Sequence, residues 1–371
     1  MNHTDPVNII EYENLKKSNL EFESHFKTKL TLFLDKGRYI LGNEVSQFEQ
    51  SFASYCGAKF CVGVANGLDA LELGIKTFDF PKNSEIIVPS NTYIATILAI
   101  VNAGHIPILV EPDIRTYNIN PSLIEENINS KTRAIVVVHL YGQPAQMDEI
   151  CRIAKINNLE IIEDCAQAHG ATFNGKIVGT FGNIGAYSFY PTKNLGALGD
   201  AGAVITSDEK IYEKLMALRN YGSEKKYFNK YVGKNSRLDE LQAMFLNVKL
   251  PFLNKINQHK RDLAEIYSKH LSNFIIKPFE IQGAYHVYHI YNIRIKNRDE
   301  LKSYLHKEGI QTEIHYPISP NKQEGYKKFF DNISFPISEE IHSTTLSLPL
   351  SYGTSINDVM FVINRINSFY N

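Results

Sequence analysis

The segment Ser188-Phe189-Tyr190-Pro191-Thr192-Lys193-Asn194 runs into the glycine-rich Gly196-Ala197-Leu198-Gly199-Asp200-Ala201-Gly202. A lysine beside such a turn is a phosphate contact or a Schiff-base nucleophile. The second role needs surroundings that lower its pKa, because an ammonium group is not nucleophilic. Pro191 and the glycines restrain the backbone around Lys193, and Ser188 offers a hydroxyl to a phosphate. Taken alone, Lys193 could equally be a solvated loop lysine, as most lysines are. Asp164 shifts that balance. It closes the apolar run LEIIED, so in a parallel sheet it stands at the carboxyl end of a buried strand, where ligands gather. Glu163 and Asp164 point to opposite faces, so one of them faces the pocket. A carboxylate buried there needs a cationic partner. A protonated pyridine nitrogen is one, and an Asp on the pyridinium is the arrangement that makes pyridoxal phosphate an electron sink. The simpler role for Asp164 is to cap a following helix through Gln167 and His169.

In Gly63-Val64-Ala65-Asn66-Gly67-Leu68-Asp69-Ala70-Leu71 a strand meets a turn at Gly67 and a helix starts at once. Free N–H groups and the positive end of the helix dipole make that turn a phosphate cradle, although such turns occur in every α/β protein. It is not a Walker A loop, and no G-x-G-x-x-G is present. The glycine triplets in GTFGNIG and GALGDAG have the wrong spacing for a Rossmann nicotinamide site. Tyr93, after another strand end, would stack on a flat cofactor or pack in the core. His286, His289 and His315 read as structural or substrate-contacting, because no carboxylate or thiolate completes a metal pattern.

The elements that hold these residues alternate. FCVGVA precedes GLDALELGIKTF, EIIVPS precedes YIATILAIVNAG, IPILVEPD precedes PSLIEENI, RAIVVVHLYG precedes MDEICRIAKINN, and LEIIEDCAQAHG and AVITSD follow. Continuous Ile/Val/Leu runs suit strands covered on both faces, so the fold class is α/β with a mostly parallel sheet. Ser236-Arg237-Leu238-Asp239 reads as a capping box opening a helix that Pro251 ends or kinks, with a second helical pattern to about His270. Beyond it HVYHIYNIRI and QTEIHYP read as strands. NRDELKSYLHKEG and SINDVMFVINRINSFY read as helices. The division predicted is a large domain over 1–250 and a small α+β domain over 251–371.

Lys plus Arg number 39 against 40 Asp plus Glu, a balance that provides no general attraction to nucleic acid or anionic membrane. The apolar content of 43% argues against disorder. Cys56, Cys61, Cys151 and Cys165 contain no C-x-x-C pair, so neither a disulfide framework nor a zinc ribbon is expected. The N-terminus lacks the layout of a secretory signal. The apolar stretch from Tyr93 to Val110 is broken by Asn102, Gly104, His105 and Pro107, which argues against a membrane span. A cytoplasmic location is expected.

The ordered set ANGLDAL, PSNTYIAT, EDCAQAHGA, SFYPTKNLGALGDAG, RNYGS, GKNSRLDELQA and IHYP resembles the DegT/DnrJ-type sugar aminotransferases, of PLP fold type I, over nearly the whole chain. The resemblance implies that Lys193 forms the Schiff base with pyridoxal 5'-phosphate and that Asp164 pairs with its ring nitrogen. It further implies that Gln167 contacts the phenolic oxygen and Tyr93 stacks on the ring. The Gly67 and Leu68 amides with the Ser188 hydroxyl would hold the phosphate, and Asn235 would reach the phosphate of a neighbouring subunit. A homodimer with shared sites follows. Relatives often carry a small hydroxyl residue where Leu68 stands, so only a backbone contact is left there. Tyr221, His315 and Tyr316 are candidates for sugar or diphosphate contacts, or else domain-interface packing. SFYPTKNLGALGDAG and EDCAQAHGA are similar to the branch that moves an amino group from L-glutamate to C3 of a dTDP-3-keto-6-deoxyhexose. The product would be a dTDP-3-amino-3,6-dideoxyhexose of Fuc3N or Qui3N type, for lipopolysaccharide or other surface glycans. A C4-keto sugar or keto-cyclitol aminotransferase uses the same scaffold. Sugar dehydratase relatives replace the lysine with histidine. A regulator without turnover would not need Lys193, Asp164, Gln167 and Ser188 together.

Overall fold

Continuous apolar runs become buried strands because each contributes side chains to both faces of one sheet. The computed structural model describes residues 9–225 and 227–369. Its central sheet comprises β1 (Phe60–Val64), β2 (Glu85–Pro89), β3 (Ile106–Val110), β4 (Thr132–Val138), β5 (Glu160–Asp164), β6 (Ile184–Ser188) and β7 (Gly202–Thr206), in the order β1-β7-β6-β5-β4-β2-β3. β2 to β6 pair in parallel, while β7 runs against β1 and β6. The alternation is visible residue by residue. Ile86, Val88, Ala134 and Val136 join one apolar cluster, and Ile87, Ile135 and Val137 join another.

Helix α1 (Glu23–Lys36) lies outside the sheet layers. The sheet is covered by α2 (Asn43–Cys56), α3 (Gly67–Lys76), α4 (Ile94–Asn102), α5 (Met147–Asn157) and α6 (Glu209–Leu218). α3, α4 and α6 pack on the first face, α5 and α2 on the second. Phe48 and Phe52 of α2 are fully buried against Tyr187 and Phe189, each contributing about 1.5–3 kcal/mol by burial. The segment PSLIEENI forms only the 3-10 turns Pro121–Leu123 and Glu125–Asn127, not a helix of the layers.

A bent connector, α7 (Glu240–Lys249) and α8 (Leu253–His270), leads to the C-terminal unit. The 3-10 turn Leu250–Phe252 with Pro251 joins its halves, as the missing proline N–H requires. The helix does not begin at the expected capping box. Ser236 Oγ accepts the N–H of Ala65 at 3.1 Å, which ties it to the end of β1, and α7 starts only after Asp239. Glu240 then turns its carboxylate outward, accepting the N–H groups of Gly42 (2.6 Å), Glu44 (3.1 Å) and Val45 (2.9 Å) at the start of α2.

In the C-terminal unit β8 (Tyr291–Arg294) pairs antiparallel with β9 (Thr345–Leu348), packed against α9 (Arg298–Lys307) and α11 (Ile356–Ser368), while α10 (Pro336–Thr344) packs through Ile341 on Tyr117, Val138 and Leu140. Of HVYHIYNIRI only Tyr291–Arg294 is ladder. QTEIHYP is not a strand: Glu313 makes one bridge to Ser347. Further along, the Tyr141 hydroxyl takes the His315 carbonyl and His342 Nδ1 bonds the Tyr316 carbonyl at 2.7 Å. Its backbone is spent on the site below rather than on a sheet. Ile10 bridges Ile310 and packs on the C-terminal core. No helix of the described residues is long and apolar enough to cross a membrane.

Candidate active site

The carboxyl ends of β1, β2, β4, β5 and β6 open into a cavity of about 610 Å³. Gly67, Leu68, Tyr93, Asp164, Gln167, Ser188, Lys193, His315 and Tyr316 all line it. They come from elements spread over most of the chain, and the sheet brings them together.

The floor is the first turn of α3. Asn66 Oδ1 accepts the N–H of Asp69 at 2.8 Å, and its carbonyl accepts that of Ala70 at 3.1 Å. The N–H groups of Gly67 and Leu68 are left without intrahelical acceptors at the positive end of the helix. Gly67 is obligatory there, since a Cβ would lie 2.6 Å from Ser188 Cβ. Gly67→Ala must therefore spread this turn from the end of β6, at a cost of about 1–3 kcal/mol. The expected result is pyridoxal phosphate bound ~10–100-fold more weakly, read by titrating stripped protein with the cofactor and following absorbance. Unaltered affinity would show that the phosphate is held elsewhere.

Glu163 and Asp164 do face opposite ways. Glu163 is buried beneath the sheet end and fully employed: the Gly179 and Gly182 N–H groups donate to it at 2.6 Å each, and His139 Nε2 lies 3.0 Å away. His139 Nδ1 accepts the Ala145 N–H at 3.0 Å, so Nε2 carries the ring proton and donates to Glu163. Asp164 instead faces the cavity. Thr96 Oγ1 donates to its Oδ2 at 2.8 Å, and the Ala166 N–H donates to Oδ1 at 3.1 Å. Both partners are neutral, and burial pushes the carboxyl pKa up. A cation delivered by a ligand would restore the ionised form.

Lys193 closes the opposite side. Its N–H donates to the Tyr190 carbonyl at 2.8 Å, forming the tight turn that Pro191 presets. Burial lowers the amine pKa to about 8, with Asp164 opposing that shift. That brings a substantial free-amine fraction within reach of neutral pH, as Schiff-base chemistry needs. Gln167 is held in one orientation: its Oε1 accepts the Tyr141 N–H at 2.6 Å, so Nε2 is the end available to donate, here to the Tyr316 hydroxyl at 3.1 Å. The rings of Tyr93 and Tyr316 lie 4.9 Å apart between centroids. An anion cradle, a buried carboxylate, an amide donor, aromatic faces and a free amine together fit pyridoxal phosphate.

Tyr221 and Asn235 lie outside this cavity. The Asn220–Asn235 bridge sets them side by side, Tyr221 is half-exposed under the Arg237 guanidinium, and Asn235 precedes α7 rather than starting it. Thr96 and the Tyr141 backbone were not singled out from sequence. Thr96 could have been, as it stands one helical turn after Tyr93 in PSNTYIAT. His289, expected in the strand HVYHIYNIRI, sits in no strand. It joins the cavity beside Lys193.

A model of the DegT/DnrJ/EryC1/StrS aminotransferase family matches residues 21–367. The chain is 52% identical over 362 residues to a dTDP-3-amino-3,6-dideoxy-alpha-D-galactopyranose transaminase of Aneurinibacillus thermoaerophilus, covering 97% of this chain and 99% of the relative. It is 40% identical over 363 residues to a dTDP-3-amino-3,4,6-trideoxy-alpha-D-glucose transaminase of Streptomyces venezuelae, covering 97% and 96%. Among solved structures, S. venezuelae DesV in complex with a ketimine intermediate matches with a TM-score of 0.95 at 39% identity, over 97% of this chain and 98% of that one.

Proposed function

Because this chain belongs to the DegT/DnrJ/EryC1/StrS aminotransferase family, pyridoxal phosphate-dependent enzymes of PLP fold type I, we propose that it aminates C3 of a dTDP-linked 3-keto-6-deoxyhexose with L-glutamate as donor. The product is a dTDP-3-amino-3,6-dideoxyhexose destined for a surface glycan such as lipopolysaccharide. The enzyme works in the cytoplasm as a homodimer with shared sites. The large unit up to residue 250 carries the cofactor, and residues 251–371 supply the cover that includes His315 and Tyr316.

The observation that carries the reaction is the pairing, across one cavity, of a buried amine on Lys193 with a buried carboxylate on Asp164 whose hydrogen-bond partners among the described residues are both neutral. The 52% identity to a C3 transaminase supports the position on the sugar. Gly67, Leu68 and Ser188 hold the phosphate, Tyr93 covers the ring, Gln167 donates to the phenolic oxygen, and Asp164 keeps the ring nitrogen protonated. When bound, the cofactor withdraws the electron pair released at the substrate carbon. Lys193 Nζ takes the proton from the α-carbon of L-glutamate and, in the second half-reaction, delivers one to C3 of the sugar. His315 and Tyr316 contact the sugar or its diphosphate. Asn235 reaches the phosphate in the partner subunit's cavity, consistent with its absence from the lining of its own, and Tyr221 contacts the sugar or its diphosphate.

The test is a half-reaction with L-glutamate followed by a panel of dTDP- and other nucleotide-linked 3-keto and 4-keto sugars, with NMR locating the new amine. An amine at C3 of the dTDP sugar supports the reading. An amine at C4, or preference for another nucleotide, overturns its substrate part. A protein that takes up the cofactor yet never forms 2-oxoglutarate is a regulator instead.

A further inference from the structure

His289 has no part in the roles assigned so far. Its ring lines the cavity, and Nε2 lies 3.4 Å from Lys193 Nζ. Its Nδ1 is buried with no hydrogen-bond partner among the described residues. A buried ring nitrogen left unpaired destabilises the fold, and an apolar side chain would fill the space without that cost. The position is also firmly imposed. The buried Lys260 ammonium donates to the His289 carbonyl at 2.8 Å and to Asn194 Oδ1 at 3.1 Å. One side chain of α8 thus ties both the histidine and the residue after Lys193. Lys193, Lys260, His315 and His169 face the ring and each opposes its protonation, while Asp164 lines the same cavity. Burial, and next the Lys193 and Lys260 ammonium groups, hold the imidazole neutral. Beside an ammonium, a neutral ring nitrogen can only accept a hydrogen bond.

We propose that His289 is the positioning residue of Lys193 in the transamination, whose Nε2 receives the ε-ammonium of that lysine whenever it is free of the cofactor. This rests on the reading of Lys193 as the cofactor lysine. In each half-reaction Lys193 Nζ takes up the proton released by one carbon, Cα of L-glutamate in the first, and becomes an ammonium. It donates a hydrogen bond to Nε2 without giving the proton up, and then delivers the proton to the carbon that gains it, C3 of the sugar in the second. His289 ends each cycle as it began. Its work is to hold the loaded lysine beside the reacting carbon and to support the charged form in a site where burial opposes it.

The test uses the enzyme converted by L-glutamate to its pyridoxamine form, in which Lys193 is free. The pH dependence of Lys193 acetylation by acetic anhydride, quantified on the peptide by mass spectrometry, gives its titration midpoint. His289→Leu is expected to move the midpoint down by about one pH unit, a tenfold change in the protonation equilibrium. It should also slow the glutamate half-reaction about 10–100-fold with little change in KM. His289→Gln, whose amide oxygen reaches the place of Nε2, is expected to restore both. A Leu variant with the wild-type midpoint and rate, or Leu and Gln variants equally impaired, overturns the proposal. Borohydride reduction before glutamate is added separates it from its premise. A cofactor adduct on Lys193 in all three proteins leaves the lysine reading intact whatever the histidine does. Its absence from the wild type overturns both.

Discussion

Lys193→Ala is expected to lower the rate of both half-reactions by at least ~10⁴-fold, because one substitution removes both the nucleophile and the group that carries the proton. The fold should survive. Among the described residues the Lys193 side chain makes one hydrogen-bond contact, to His289, while the turn around it is held by main-chain bonds and by Asn194, which donates to Asn257 (2.8 Å) and to the Val287 carbonyl (2.9 Å). The variant should still bind the cofactor through the first turn of α3, but borohydride should leave no adduct on the chain. Stopped-flow absorbance with L-glutamate reads the rate, and thermal melting checks the fold. A variant retaining a tenth of normal turnover would remove Lys193 from the reaction.

The second large effect is expected at Asp164. Replacement by Asn preserves the size of the side chain and an acceptor for the Thr96 hydroxyl, 2.8 Å away in the native protein. What disappears is the negative charge, together with the acceptor of the Ala166 N–H. A neutral amide cannot hold the pyridine nitrogen protonated, so the ring loses most of its power to accept electrons, and the glutamate half-reaction should slow ~10²–10³-fold. The sign with pH follows from the same site. Burial raises the Asp164 pKa in the protein without cofactor, so the carboxylate is lost as pH falls, and capture of a pyridinium should weaken toward acid. In Asp164→Asn that acid weakening should vanish. Cofactor titrations across pH, alongside single-turnover rates, distinguish this from a packing defect, which would leave the pH dependence in place. Unchanged rates in the Asn variant would undo the pairing of Asp164 with the ring.

Which residues stand at the mouth of the sheet follows from local patterns in the chain. Apolar runs ending in Asp164 and Ser188, the Asn66-Gly67 turn and the Tyr190-Pro191 turn are local patterns. A strand's face alternation and a helix's free N–H groups follow from neighbours in the chain, so they can be read without a third dimension. Tertiary structure alone decided how those residues are employed. Ser236 was open to a capping role until the N–H of Ala65, far earlier in the chain, took its hydroxyl and the helix start moved to Glu240. His315 and Tyr316 left their expected strand because Tyr141 and His342 bind their carbonyls, which leaves the His315 ring on Ser347 and the Tyr316 hydroxyl on Gln167. His289 reaches Lys193 only because Lys260 fastens both segments to one helix. Each of these outcomes is a competition for one buried donor or acceptor between groups distant in sequence. Whichever partner the packing brings within about 3 Å prevails, and no local pattern records that distance.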